Sequence, residues 1–289
     1  MPAHAGHTGS PYNDPAMLMS MEIDVLGPLG ARVNGRSIVP TAGKPRQILA
    51  LLAIRAGRVV SVETLIEEVW GDAVPRSAAP TLQTYILQLR KKITDALPAD
   101  SELTAKDILA TSYGGYQLAP VEPIRCDLVE FQRLTAHGTR AMAENAPHIA
   151  SEKLREGLGL WRGNALVDVP LGEVLRMEVI GMQEARTRAL ELRIEADLQL
   201  GRHAELIGEL RMLVAQQPLH ENLCAQLMTA LYRAGHPWRA LEVFQSLRQS
   251  LVDELGVEPS PRLQRLHRAV LANDDRLDRF TPAQRLLSA

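Results

Sequence analysis

Cysteine is almost absent: Cys126 and Cys224 are the only two in 289 residues. They form no CxxC pair and no metal-ligand spacing, so no cofactor or metal is expected. With no secretory segment ahead of them, they are expected to be reduced thiols in a cytoplasmic chain. Aromatic residues are also few, at three Trp, five Tyr and three Phe. That scarcity argues against single-strand binding by stacking bases on aromatic platforms. No run of 18 apolar residues occurs, so no membrane span is expected. Neither sign of charge is in excess: 32 Lys+Arg face 34 Asp+Glu, a formal net charge of −2. This excludes a globally basic nucleic-acid coat and an acidic disordered tail protein. Residues 1–20 contain no Lys, no Arg and no long apolar stretch, and so lack both marks of a signal peptide. A disordered extension is expected there, with the folded chain beginning near Met17, Met19 or Met21.

What is present suffices for two ordinary domains. Near the start, Ile23, Val25 and Leu26 precede Gly27-Pro28, and Ala31 and Val33 precede Asn34-Gly35. Asn-Gly between short apolar runs predicts a tight hairpin, because both residues must take positive φ. Three helical patterns follow, over 44–56, 62–70 and 77–93. Ser61 is a good N-cap for the second. A strand pair is predicted over 108–118 around Gly114-Gly115. Pro120 and Pro123 mark a boundary, giving a first domain over 21–120. Residues 121–272 read as helical, broken by Pro147, Pro170, Pro218, Pro237 and Pro259, with a flexible tail over 273–289. Gly201 and Gly235 stand 34 apart, each followed at five residues by Leu206 or Ala240 and at nine by Leu210 or Phe244. That period is the tetratricopeptide helix-turn-helix register. An earlier copy runs through Asn145, Ala150 and Leu154, with 163–176 as an insertion; an irregular bundle with accidental spacing is the alternative. The fold class is therefore mainly α. An N-terminal winged helix-turn-helix with a small β-sheet and wing is followed by an all-α tetratricopeptide-like domain.

The third helix carries the chemistry. Leu82, Ile86, Leu89 and Ile93 form one buried stripe, and Thr81, Thr84, Gln88 and Lys91 fall opposite it, flanked by Tyr85 and Lys92. No acid occurs from Pro75 through Thr94, whereas Arg76, Arg90, Lys91 and Lys92 are basic. A helix facing phosphates needs that asymmetry. An amphipathic surface helix with a cationic end would show the same pattern. The order of small sheet, three helices and hairpin favours a winged helix-turn-helix with the third helix in a major groove. Thr84 and Gln88 would read bases. Arg76, Thr81, Tyr85, Arg90, Lys91 and Lys92 would hold phosphates, with Thr111, Ser112 and Tyr113 of the wing. On an ideal helix Arg90 points toward the edge of the buried face. Lys44 and Arg46 open the first helix and read equally as phosphate contacts or as surface charges. Tyr116 is expected to pack under the wing, and Trp70, Trp161 and Trp238 to be core or partly buried.

The first domain resembles the OmpR-type winged helix. From about 21 to 272 the chain resembles the Streptomyces antibiotic regulatory protein family. The resemblance rests on Leu26-Gly-Pro28, Lys44-Pro-Arg-Gln-Ile-Leu-Ala-Leu-Leu52, Leu65-Ile-Glu-Glu-Val-Trp-Gly71, Thr81-Leu-Gln-Thr-Tyr-Ile-Leu-Gln-Leu-Arg90 and Gly114-Gly-Tyr116. In the second half it rests on the segment Ile194 to Leu206 and on Asp253-Glu-Leu-Gly-Val-Glu-Pro-Ser260, similar to the family's bacterial transcriptional activation domain. It implies an activator of secondary-metabolite genes that binds direct repeats in promoter DNA as adjacent protomers. It also implies recruitment of RNA polymerase holoenzyme with its sigma factor. By the same resemblance, the exposed loop from Gly71 to Ala79, with Asp72 and Val74, would meet the polymerase. Winged-helix relatives often place Arg where this chain has Thr84 and Gln88. Larger relatives continue into further modules, which are not expected within these 289 residues.

Enzyme readings fail on spacing. Gly43-Lys44 resembles the end of a P-loop, but Ile38 replaces its first Gly and Pro45 its Ser/Thr. His203, His220 and His236 lie too far apart for a local metal motif. The remaining alternative is a repeat-protein adaptor whose winged helix binds protein; the acid-free third helix argues for DNA.

Overall fold

The structure, a computed structural model, describes residues 20–119 and 124–277. These form two compact units. One takes the chain up to Leu128 together with Gly163–Glu178, and the other takes Val129–Arg162 and the chain from Val179 onward.

In the first unit, β1 (Met21–Asp24), β2 (Gly30–Val33) and β3 (Arg36–Ser37) form an antiparallel meander. Its tight turn is Asn34-Gly35, with φ of 50° and 73°, as that dipeptide predicts. Helix α1 (Gly43–Ile54) buries Ile48, Leu49, Leu51 and Leu52 and forms the centre of the core. The two-residue strand β4 (Val60–Ser61) leads into α2 (Val62–Trp70). There the Ser61 Oγ accepts from the Thr64 N–H at 3.0 Å, the expected cap. Helix α3 (Ala78–Ala96) buries the stripe Leu82, Ile86, Leu89 and Ile93. A one-turn helix α4 (Ala105–Ile108) precedes the wing hairpin, β5 (Leu109–Ser112) and β6 (Gly115–Leu118). The wing sheet has the order β4-β6-β5. At its tip only Gly114 needs positive φ, at 77°. Gly115 serves a different purpose: a Cβ there would stand 2.2 Å from the Val60 carbonyl oxygen, so only glycine lets β6 close on β4.

The first compact unit continues past residue 120 to Leu128. Strand β7 (Ile124–Cys126) pairs in parallel with β1 and completes the order β3-β2-β1-β7. The Asp127 carboxylate then accepts from the Val25 and Leu26 N–H groups at 2.9–3.0 Å. A three-residue strand has no period to read. The expected insertion is also reassigned, because residues 163–178 form a strap on this first unit. The Leu166 N–H donates to the Val25 carbonyl at 3.2 Å, and Asp168 Oδ1 accepts from the Leu29 N–H at 2.7 Å. Arg55 pairs with Glu178 at 2.8 Å. At the centre lies Glu68, a carboxylate 1% exposed. It accepts from Gln47 Nε2 and the Gly172 N–H at 2.7 Å and from the Leu175 N–H at 2.8 Å. Glu68 thereby caps the helix that begins at Glu173 from a distance of 104 residues in sequence. Gly172 is required there, since a Cβ would meet the Glu68 carbonyl oxygen at 2.0 Å.

The second unit is helical. It is built from α5 (Asp127–Ala143) beyond Leu128, α6 (Pro147–Leu158), α7 (Glu173–Gln199) beyond Glu178, α8 (His203–Gln216), α9 (Glu221–Arg233), α10 (Pro237–Leu255) and α11 (Pro261–Leu271). Gly201 and Gly235 take φ of 79° and 80° just past α7 and α9, and Asn145 takes 57° between α5 and α6. Leu206, Leu210, Ala240 and Phe244 are buried with Leu223, Met228 and Leu231, so the 34-residue spacing marks real helix crossings. Trp161 is buried edge-on against Phe131, but Trp238 is 56% exposed, contrary to expectation. Position 238 falls in the first turn of α10, beyond the stripe that Ala240 and Phe244 bury. The expected tail does not begin at 273. A 3-10 turn, Asp275–Leu277, buries Leu277, whose carbonyl accepts from Arg233 Nε at 2.8 Å. The expected extension over 1–20 and the rest of the expected tail fall outside the described residues, Ser20 apart. No described helix is long and apolar enough to cross a membrane.

Candidate nucleic-acid interface

α3 presents Gln83, Thr84, Leu87, Gln88 and Lys91 as its exposed face, with Thr81, Tyr85 and Lys92 half-buried at the margins. The Gln88 amide has no hydrogen-bond partner among the described residues, so both its donor and its acceptor are available to a base edge. Thr84 has spent its proton on the Pro80 carbonyl at 3.1 Å. It therefore offers a hydroxyl oxygen and a methyl group. Leu87 is 62% exposed between them and was missed in the sequence reading. The signal was present: a leucine one position after Ile86 falls about 100° off the buried stripe.

The wing tip lies at Tyr113-Gly114, with the Tyr113 side chain fully exposed, Thr111 exposed and Ser112 half-buried. Tyr116 is buried, as expected. Arg90 is redirected. Its guanidinium donates to the Leu109 carbonyl through Nε at 3.0 Å and Nη2 at 2.8 Å, and to Thr111 Oγ1 at 2.8 Å. It fastens the wing to α3 and sets the separation between helix face and wing tip. Thr111 still has its own proton to donate. The far end of α3 is held by Arg36, which donates to the Asp95 carbonyl at 3.1 Å.

The basic residues of α1 divide. Arg46 donates from Nε to the Pro40 carbonyl at 3.0 Å and from Nη1 to the Asp168 carboxylate at 3.2 Å, so it holds the strap. Lys44 stays exposed, its ammonium 5.0 Å above the Trp70 ring. Trp70 stacks in turn with Tyr85, with centroids 6.3 Å apart and planes 19° apart. This column joins the start of α1 to the first half of α3 through the end of α2. Asp72, Val74 and Arg76 are all exposed in the α2–α3 loop. Among the described residues no group of three or more His, Cys, Asp or Glu could hold a metal ion.

The arrangement is a helix-turn-helix with a flanking wing, an exposed helix face without acid as far as Thr94 and cations at its rim; the exposed Asp95 follows at its C-terminal end. Comparison with known proteins agrees. Residues 35–118 match the family described as transcriptional regulatory protein, C terminal, and residues 126–271 match the bacterial transcriptional activator domain. The regulatory protein DnrI of Streptomyces peucetius is 52% identical over 262 residues, covering 91% of this chain and 96% of DnrI. The chain belongs to the Streptomyces antibiotic regulatory protein family of transcriptional activators. The transcriptional regulator RedD of Streptomyces coelicolor is 39% identical over 254 residues, 88% of this chain and 71% of RedD. The structure of Mycobacterium tuberculosis EmbR in complex with a low affinity phosphopeptide is similar at a TM-score of 0.81 and 28% identity. That match covers 93% of this chain and 69% of EmbR. In this family member, then, the exposed α3 face is the candidate reading surface.

Proposed function

We propose that this activator controls a secondary-metabolite pathway by binding direct repeats in promoter DNA as two adjacent protomers in the cytoplasm. The observation that carries this is α3 itself: an exposed polar face on a segment without acid from Pro75 through Thr94. Gln88 and Thr84 read base edges, and Leu87 meets a thymine methyl group. Lys91, Lys92, Arg76 and Thr81 hold phosphates on the helix side, and Thr111, Ser112 and Tyr113 hold them on the wing side. Arg90 positions the wing, Arg46 the strap, and Lys44 and Tyr85 flank the backbone from the Trp70 column. One winged helix covers only a few base pairs, so a second protomer supplies the rest of the specificity. The loop holding Asp72 and Val74 points to RNA polymerase with its sigma factor as the partner, since exposed connectors beside a bound helix are placed to meet a neighbour.

Footprinting on the intergenic regions beside the gene tests the reading. Two protected half-sites in the same orientation are expected, about one helical turn apart. Inserting about half a turn between them should abolish cooperative binding. Cooperativity that survives the insertion rejects side-by-side docking.

A further inference from the structure

A cavity of about 500 Å³ lies within the second unit, between α7, α9, α11 and the 3-10 turn. That is the size of a site for a small organic ligand. Its apolar floor includes Leu198, Ala225, Leu266, Ala269 and Leu277. Its charge is one-sided. Five arginines line it (Arg233, Arg262, Arg265, Arg268 and Arg276) against two carboxylates, Glu195 and Asp274. Asp274 pairs with Arg276 at 2.8 Å, which leaves four arginines against Glu195, so the lining carries a net positive charge. A third feature is independent of charge. Gln226 is 5% exposed, and its Nε2 donates to the Glu191 carbonyl at 2.9 Å, but its buried Oε1 has no hydrogen-bond partner. Thr229, also on the cavity wall, cannot supply one, because its hydroxyl donates to the Ala225 carbonyl at 2.8 Å. Buried acceptors are rarely left unpaired in native interiors.

We propose that this cavity binds an amphiphilic organic anion: an apolar body, one carboxylate, sulfonate or phosphate at the arginine rim, and one N–H or O–H donor for Gln226. The site is separate from the α3 surface and does not depend on the DNA-binding reading. An open cleft on this scale suits a small molecule better than a peptide, which would need an extended groove.

The probe is 8-anilinonaphthalene-1-sulfonate, which carries all three features and fluoresces when it leaves water. Titrated into the full-length folded protein, it should show one saturable site. The exposed pair Arg262→Ala and Arg268→Ala should weaken that site about tenfold, since two charge-assisted contacts are lost. Ala272→Trp, at an exposed position on the cavity wall, should block it. Decanoate should displace the probe. Equal fluorescence in wild type and in both variants would overturn the proposal. So would displacement by inorganic phosphate alone, which would reduce the site to an anion cradle. Displacement by oligoglutamate but not by decanoate would overturn it in favour of an acidic peptide. Because the arginine pair lies on the surface, its result stands even if the tryptophan variant misfolds.

Discussion

Removing the Glu68 carboxylate should loosen the winged-helix unit from a site remote from DNA. The Glu68→Ala variant takes one acceptor away from three donors: Gln47 Nε2 and the N–H groups of Gly172 and Leu175. Gln47 keeps a second acceptor, because its Nε2 also reaches the Glu68 carbonyl at 2.7 Å. The two strap amides keep no such substitute from this side chain. Hydrogen bonds to a charged acceptor contribute about 1.5–3 kcal/mol each, and a buried orphan donor costs about 1–3 kcal/mol. The expected destabilisation is therefore about 3–5 kcal/mol. Glu68→Gln retains the shape and one acceptor oxygen, and should cost about half as much. Hydrogen exchange reads the effect directly: protection of the Gly172 and Leu175 amides should fall by about a hundredfold or more. Urea unfolding of the full chain gives the same energy by an independent route. A loss below about 1 kcal/mol with strap protection unchanged would refute the claim that Glu68 holds the strap.

Lys91→Ala should weaken binding to all duplexes alike and lower the salt slope by about one unit, measured by fluorescence anisotropy. A loss confined to one sequence would make Lys91 a base reader instead. Replacing Asp72 and Val74 together by Ala should leave promoter affinity nearly unchanged and lower transcription in a purified system. Parallel loss of both would make the loop a DNA or folding element. His203 and His267 are held below their usual 6.5 by burial, aided at His203 by the nearby Arg233 charge. The folded protein thus binds fewer protons than the unfolded chain. This contribution is present above the unfolded value of 6.5 and is lost as pH falls below it through the lowered folded value, so the urea midpoint should drop as pH falls below about 6.5. The double variant His203→Gln and His267→Gln should flatten that drop; an unchanged slope would contradict the assignment.

Local signals carried far in this chain. The Asn34-Gly35 turn, the Ser61 cap, the Leu82–Ile93 stripe and the paired turns at Gly201 and Gly235 each depend on a few neighbouring residues, and each forms as expected. The failures in the fold are mostly long-range, the exposed Trp238 being a local exception. Nothing local marks Glu68 as the cap of a helix more than a hundred residues away, or Asp168 as the partner of Arg46. The strap therefore read as an insertion, and Arg46 stayed open between phosphate contact and surface charge. Strand β7 failed for the same reason, since its pairing with β1 joins residues about a hundred apart and its three residues show no alternation. At the interface, helix periodicity placed Gln88, Thr84 and Lys91 outward. It also placed Leu87 there, but a leucine was not sought on a polar face. Arg90 faces the wing because β5 lies against that edge of α3, a tertiary fact that the helix's own residues do not contain.

The most direct test of the account is the affinity of wild type and Gln88→Ala for a cognate repeat and for a scrambled duplex at one fixed salt concentration. A base-reading glutamine requires a loss of about 1–3 kcal/mol on the cognate duplex, little change on the scrambled one, and relaxed preference at a single base pair. Unchanged affinity and unchanged sequence preference would contradict the placement of α3 in the groove.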